Sequence, residues 1–217
     1  EKGKKGGLEQ RAIAIGVQGL ADVFFLMDYV FTSDEAKELN KKIFETIYFA
    51  AISESNELCK SGEYKPYKYF KGSPMSKGNF QFDMWGVDQN ELMWDWDSLK
   101  VSVKEHGVCN SLFTAQMPVA SSAKITGSYE MTEVIPSNLF NRRVVGGEFL
   151  IANRYLIEDF EDLGIWSEQF KNEIIMNEGS IQNINFNKFL DSTDKHYEKK
   201  IKRIEHLIQK YRTIWEV

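Results

Sequence analysis

Apolar residues recur at helical spacing over several stretches of this chain, and polar or glycine-rich stretches separate them. The longest such stretch follows Thr32-Ser33-Asp34-Glu35, a capping-box signature in which Glu35 can reach back to the Thr32 amide. Gly62 marks a typical helix end. The positions expected to face the core between these signals are Leu39, Ile43, Ile47, Ala50, Ala51 and Leu58. We therefore predict one long helix here, with a role in core packing.

The same periodicity predicts shorter elements along the rest of the chain. Ile13 and Ile15 suit a short strand that ends at Gly16, and a helix follows it. Further helices are predicted after Asp95, over 153–163, and after the capping residue Ser167.

A narrow apolar seam marks the C-terminal part of the chain. Between Asp194 and Trp215 the apolar residues alternate by four and three, as in a heptad repeat, and lysines lie off the seam. The seam residues are Tyr197, Ile201, Ile204, Ile208, Tyr211 and Trp215. Three heptads are too few for a coiled coil, so we predict a helix that docks on the protein body or on a partner.

Other polar stretches allow a functional and a structural interpretation. The loop 62–80 mixes lysines with tyrosines, and Trp85, Trp94 and Trp96 crowd one short stretch. Single-stranded nucleic acid or a caged cation could use such aromatic groups, but core packing is the commoner role. Glu130 with Glu133 could act as acid and base, and Arg142-Arg143 could clamp an anion. Exposed carboxylates and structural ion pairs are the commoner outcome.

Composition and charge narrow the possible functions. The 217 residues are 42% hydrophobic with a net charge of −5, which gives no basic footprint for nucleic acid. No stretch approaches the roughly 18 apolar residues of a membrane span, and the start shows no signal-peptide pattern. Cys59 and Cys109 are far apart and form no Cys-x-x-Cys motif, which suits a reducing compartment and small packing residues rather than reactive thiols. We predict a cytoplasmic protein.

The stretch 112–127 is the strongest candidate for ligand binding. An apolar run ends at Pro118, Ser121 and Ser122 follow, and a helix can then begin. The first amides of a helix lack internal partners and lie at the positive end of its dipole, so they suit a phosphate. Neither a Walker-type signature nor Gly-x-Gly-x-x-Gly is present. The pattern alone therefore favours an ordinary helix cap.

Several blocks of sequence occur in an order that resembles one protein family. They include Ala-Gln-Met-Pro-Val-Ala-Ser-Ser-Ala at 115–123, Ser-Asn-Leu-Phe-Asn-Arg-Arg at 137–143 and Asn-Glu-Gly-Ser-Ile-Gln at 177–182. With further blocks at 13–22, 44–48, 72–78, 83–85 and 146–149, the chain resembles the large (catalytic) subunit of class I ribonucleoside-diphosphate reductase, of the eukaryotic type. The resemblance runs from Arg11 to Gln182 and resumes near Tyr211.

The resemblance implies an oxidoreductase that converts ribonucleoside diphosphates to deoxyribonucleoside diphosphates for DNA replication. In that family a thiyl radical on a finger-loop cysteine, inside a ten-stranded α/β barrel, starts the reaction, and two other cysteines supply electrons. The implied partners are the substrate, a second copy of the large subunit, a di-iron tyrosyl-radical small subunit and a thioredoxin-type reductant. Regulatory nucleotides such as ATP bind elsewhere in the family.

One loop of the family matches this chain residue by residue. Pro118, Val119, Ala120, Ser121 and Ser122 correspond to the loop whose amides and hydroxyls hold the substrate diphosphate. Relatives often have threonine at 119 and 122, so a hydroxyl is kept at 122 and lost at 119. The finger-loop pattern Asn-x-Cys-x-Glu is absent, and neither cysteine matches the family's reactive ones. We therefore predict no catalytic residue, metal site or cofactor in the chain itself.

These observations together describe a fragment of a reductase. Residues 1–10 are expected to form a flexible lead-in outside the resemblance. Residues 11–217 are expected to form a partial α/β barrel domain, rich in helix with few short strands, with a lysine-rich helical insertion near 186–208. Such a fragment should be inactive alone and should bind neither nucleic acid nor membranes. The alternative is a non-catalytic interaction module of the same fold, in which the 194–215 helix binds a partner.

Overall fold

Helices make up most of the regular structure of this protein. The computed structural model describes the backbone of residues 1–217 and the side chains of all of them except Asn90 and Val144. The helices are α1 (Lys2–Gln10), α2 (Leu20–Leu26), α3 (Asp34–Lys60), α4 (Gln81–Met84), α5 (Trp96–His106), α6 (Ala120–Thr126), α7 (Arg154–Asp162), α8 (Glu168–Met176) and α9 (Tyr197–Lys210). Short 3₁₀ turns lie at Met75–Lys77, Gln89–Glu91 and Phe186–Phe189. The predicted helix-rich fold with few short strands is confirmed.

Strands β1 (Leu139–Val144) and β2 (Gly147–Ala152) form an antiparallel hairpin. Its register pairs Leu139 with Ala152 and Val144 with Gly147, so that two residues make the turn. This hairpin was not predicted from the sequence, in which Arg142 and Arg143 stand out only as charges.

The long helix α3 forms where the sequence predicted it, but a different residue caps it. The Ser33 hydroxyl accepts a hydrogen bond from the Ala36 amide at 3.2 Å. The predicted capping box between Thr32 and Glu35 is therefore wrong by one position. Helix α5 begins after Asp95 as predicted, and the Asp95 carboxylate caps it by accepting from the Ser98 amide at 3.0 Å.

The chain divides into two compact units. Unit 1 comprises residues 1–17 and 38–117. Its core is aromatic and aliphatic, and its fully or largely buried side chains are Ala51, Ile52, Tyr67, Phe80, Phe82, Trp96, Leu99, Val103, Val108 and Phe113. The predicted strand at 13–16 is reduced to an isolated parallel bridge between Ile15 and Thr114, extended by a bond from the Ile13 amide to the Leu112 carbonyl at 3.1 Å.

The first ten residues differ from the expected flexible lead-in. Helix α1 covers Lys2–Gln10 and ends where Arg11 adopts a left-handed conformation with φ 40°. None of its residues is buried. An ion pair between Glu9 and Lys68 at 3.0 Å and a bond from the Lys68 amide to the Glu9 carbonyl hold its last turn.

Unit 2 comprises residues 18–37 and 118–217. Its core contains Ala21, Phe25, Leu139, Tyr155, Leu156, Phe160, Ile165, Phe170, Ile174, Ile181, Ile184, Phe186, Ile204, Leu207 and Tyr211. The buried Asn138 connects three segments of this unit. Its side-chain amide donates to the Gly179 and Tyr211 carbonyls at 3.2 and 2.8 Å, and its side-chain oxygen accepts from Asn153 at 3.0 Å.

Helix α9 docks on the body of unit 2. Of the two predicted alternatives, docking on the protein body or on a partner, the first is the one observed. Ile204 and Leu207 are buried in the core, as is Tyr211 directly after the helix. The helix is shorter than the predicted 194–215, because Tyr211 caps its C-terminus. The seam prediction was wrong at Trp215, which lies beyond the helix and is 83% exposed.

A cluster of charges fixes the polar side of α9. Lys210 Nζ contacts Asp28 at 2.8 Å and Asp159 at 2.7 Å, and Arg203 forms ion pairs with the same two carboxylates. Tyr211 donates its hydroxyl to Asp159. Burial alone would raise the pKa of Asp159, but hydrogen bonds from Lys210, Tyr211 and Arg203 outweigh it and lower that pKa. Asp159 is therefore a charged centre shared by three donors.

Candidate functional site

The predicted phosphate loop lies at the start of α6, within unit 2. Val119 is the residue before the helix, and no side chain caps it. Ala120, Ser121 and Ser122 form its first turn and are exposed. A helix start without a side-chain cap leaves backbone amides available to a ligand.

The loop offers fewer amides than the sequence suggested. The Val119 amide donates to the Glu130 carbonyl at 3.1 Å, so it is engaged within the chain itself. Pro118 has no N–H to give. The amides of Ala120, Ser121 and Ser122 bond to no acceptor among the residues the structure describes. Three consecutive donors therefore remain.

The hydroxyls beside these amides are also uncommitted. Neither Ser121 nor Ser122 uses its side-chain oxygen in a hydrogen bond within the described part of the chain. The Ser122 carbonyl is taken, since it accepts from the Thr126 hydroxyl at 3.1 Å. The first turn of α6 thus presents three amides and two hydroxyls to solvent.

The segment after α6, residues 128–130, anchors the first turn of α6 through backbone hydrogen bonds. The Tyr129 carbonyl accepts from the Gly19 amide at 2.9 Å, and the Asp22 carboxylate accepts from the Tyr129 amide at 2.8 Å. Gly19 has φ +70°, and a Cβ at this position would lie 3.1 Å from Ser128 Cβ. This close approach explains the glycine. Residue 130, which anchors the Val119 amide, is therefore fixed against α2.

A cavity of about 380 Å³ lies beside the C-terminal half of α6. Its lining includes Ala123, Lys124, the 127–130 segment, the hairpin and the start of α7, but none of the five predicted residues. The lining cations are Lys124, Arg142 and Arg154 and the anions are Asp22 and Glu130. Sequence reasoning missed Asp22 and Arg154, which no motif singled out.

Two of the charges that line this cavity compensate each other. Arg142 pairs with Glu130 at 3.1 Å, which confirms the ion-pair interpretation of that arginine. Arg154 donates to the Tyr155 hydroxyl at 2.7 Å. Burial, with the nearby Glu133 and Glu130, raises the pKa of Tyr129, so its phenol stays neutral. The cavity can bind and orient a ligand through guanidinium and phenol groups.

The remaining candidates take structural roles. Arg143 lies 3.5 Å from Glu148 across the hairpin. Trp94 stacks on Phe49 with ring centroids 5.1 Å apart, and Trp96 is buried. The core-packing interpretation is therefore confirmed for Trp96, whereas Trp94 is 41% exposed and Trp85 is 74% exposed.

Two general features of the described residues bear on function. No helix among them combines the length and apolar content needed to cross a membrane. In the same part of the chain, no group of three or more His, Cys, Asp or Glu side chains is placed to hold a metal ion.

Comparisons with known proteins point to one family. The family model for the ribonucleotide reductase barrel domain matches residues 1–216. The ribonucleoside-diphosphate reductase large subunit of Caenorhabditis elegans is 44% identical over 217 residues, which are 100% of this chain and 25% of that protein. The large subunit of Danio rerio is 51% identical over 174 residues, 80% of this chain and 22% of that protein.

A solved structure shows the same fold. The class Id ribonucleotide reductase alpha subunit of Actinobacillus ureae superposes with a TM-score of 0.60 and 19% identity, over 98% of this chain and 29% of that chain. The family match begins at residue 1, so 1–10 lies inside the family, contrary to the sequence analysis. The chain spans about a quarter of the length of the curated relatives it matches.

Proposed function

We propose that this chain, which belongs to the ribonucleotide reductase family and matches its barrel domain, forms part of the large subunit of a ribonucleoside-diphosphate reductase. The reaction is the radical reduction of a ribonucleoside diphosphate to its deoxy form. Relatives that carry this name are 44% and 51% identical to the chain.

The proposed contribution of the chain is to hold the substrate diphosphate. One observation carries this role: Ala120, Ser121 and Ser122 are exposed residues whose amides bond to no acceptor among the described residues. Three adjacent N–H groups at the positive end of a helix suit phosphate oxygens. Anchoring the diphosphate fixes the position of the ribose relative to the reacting groups, which lowers the entropic cost of reaction.

The remaining parts of the chemistry are proposed to come from outside these residues. The radical and redox cysteines belong to other segments of the polypeptide, and no catalytic residue is assigned here. A di-iron tyrosyl-radical small subunit and a thioredoxin-type reductant would supply the radical and the electrons. We further propose that the whole protein binds regulatory nucleotides such as ATP, associates with a second copy of itself and lies in the cytoplasm. The stretch 186–208 is proposed to be a lysine-rich insertion relative to the family.

The alternative of a partner-binding module receives no support from α9. Its apolar residues Ile204 and Leu207 are already buried within unit 2. A helix whose apolar side is covered by its own chain has no seam left for a partner.

The diphosphate proposal can be tested by NMR titration of the ¹⁵N-labelled chain. Inorganic pyrophosphate and a ribonucleoside diphosphate should both shift the amide resonances of 120–122, and the corresponding nucleoside should not. Ser121→Ala/Ser122→Ala should weaken both ligands, because two hydroxyl donors are lost. Pyrophosphate that shifts other residues while leaving 120–122 unchanged would exclude this role of the loop.

A further inference from the structure

Two cysteines that are far apart in sequence lie side by side in unit 1. Cys59 occupies the last turn of α3, and Cys109 lies in the segment that follows α5. Ser55 is one helical turn before Cys59, on the same side of α3. The Cys109 sulfur is 3.4 Å from the Ser55 hydroxyl, and the Cys109 thiol is near enough to Cys59 to raise the pKa of that thiol.

The backbone around Cys109 is held firmly against α3. The Ser55 hydroxyl accepts from the amides of Cys109 and Asn110 at 3.0 and 3.1 Å. Asn56, also on α3, donates to the Gly107 carbonyl at 2.8 Å. These hydrogen bonds hold the segment that carries Cys109 against α3, the helix that carries Cys59, without a covalent bond.

We propose that Cys59 and Cys109 form a redox site that closes to an intramolecular disulfide, with a low-molecular-weight disulfide such as oxidised glutathione as the oxidant. The Cys59 thiolate attacks the small disulfide, which releases one small thiol and leaves a mixed disulfide on Cys59. The Cys109 thiolate then attacks the Cys59 sulfur and releases the second small thiol. Two protein thiols are oxidised, and one small disulfide is reduced to two thiols.

Exposure decides the order of the two steps. Cys109 is 1% exposed, whereas Cys59 is partly open to solvent. A small disulfide can therefore reach only Cys59, and Cys109 acts as the resolving thiol. The Cys109 S–H also has a local acceptor, the Asn110 side-chain oxygen at 3.1 Å.

The surroundings make this reaction slow rather than rapid. Burial and the adjacent Cys109 raise the pKa of Cys59 to about 11, and the nearby Arg11 opposes them only partly. The thiolate is the attacking species, so the rate should rise with pH across the neutral range. The pair is suited to a stable oxidised state, not to fast catalysis.

The experiment uses the 217-residue chain in buffers of graded reduced and oxidised glutathione, followed by alkylation and intact-mass measurement. Folded chain should lose both alkylatable thiols and two hydrogens, and digestion should yield the peptides of Cys59 and Cys109 joined. At a given glutathione ratio, the ratio of disulfide to dithiol form should be at least about tenfold higher in the folded chain than in the same chain unfolded in urea. Oxidation should raise the melting temperature by roughly 5 to 10 °C.

A matched control moves one thiol off the contact. In Cys59→Ser/Glu57→Cys the new thiol replaces the exposed Glu57 side chain, two positions before Cys59 on α3. Residues two apart lie on different sides of a helix, so the new thiol faces away from Cys109. This variant should gain glutathione adducts and close no intramolecular bridge. The proposal is overturned if the wild type gives only adducts, covalent dimers or unreacted thiols. It is equally overturned if the control closes as readily or if oxidation lowers the melting temperature.

Discussion

Asp159 is a residue whose removal should strongly destabilise unit 2. It accepts hydrogen bonds from Lys210 and Arg203, both at 2.7 Å, and from the Tyr211 hydroxyl. Lys210 is 4% exposed, so water cannot replace the lost partner. In Asp159→Asn the neutral amide keeps the shape of the side chain but leaves two cations facing Asp28 alone.

The expected loss follows from the cost of breaking a buried ion pair, about 3–5 kcal/mol. Asp28 still neutralises Lys210 at 2.8 Å, and its carboxylate is partly exposed, which places the loss at the lower end, about 3 kcal/mol. For a chain of this size that corresponds to a fall of roughly 6–12 °C in melting temperature. Urea unfolding followed by circular dichroism measures the same free energy.

The pH dependence gives a second readout of the same cluster. The pKa values of Asp159 and Asp28 are both lowered in the folded protein; burial opposes this and hydrogen bonds from the cations outweigh it. Their stabilisation is therefore present above the unfolded value of about 3.9 and is lost as the pH falls through the folded values. Asp159→Asn should lose less stability than the wild type on acidification.

A surface ion pair provides the control for this prediction. Glu57 contacts Lys60 at 2.9 Å, but both side chains are at least half exposed. Glu57→Gln should change the free energy of unfolding by less than about 0.5 kcal/mol. If Asp159→Asn proved as mild as this control, the cluster would not be what fixes α9.

The other predictions concern single backbone positions. Ala120→Pro deletes one loop N–H at a position where proline is compatible with a helix start. It should weaken pyrophosphate binding about tenfold in an NMR titration. Ala120→Gly keeps the N–H and should not weaken binding. Gly179→Ala should cost roughly 2–4 kcal/mol in urea unfolding, because φ is +87° and the added Cβ would overlap the Ser137 hydroxyl. Ser33→Ala should cost about 1 kcal/mol in thermal unfolding and Thr32→Ala almost nothing, and the reverse order would restore Thr32 as the cap of α3.

Local signals in the sequence predicted the helices well. Ser167 caps α8 as expected, and α5 begins after Asp95 as expected; in both cases the side-chain oxygen accepts a hydrogen bond from the amide three residues later. These caps depend only on neighbouring residues, so they can be read without knowledge of the fold. The error at Ser33 shows the limit, since Thr32 offers an equivalent hydroxyl one position away.

Features that depend on distant residues were beyond the sequence. The Val119 amide is lost to the Glu130 carbonyl, and no pattern in the chain announces that bond. The contact between Cys59 and Cys109 is likewise invisible from their spacing. The family resemblance identified the loop, but only the folded chain shows which of its amides are free.

The discontinuous arrangement of the two units has a consequence for synthesis on the ribosome. Unit 1 has all its residues once position 117 has been translated, whereas residues 18–37 must wait for 118–217. Phe25 packs against Tyr155 and Tyr211, which are translated long after it. Until then the apolar side of α2 is uncovered on the nascent polypeptide, where chaperones that hold exposed apolar segments can bind it.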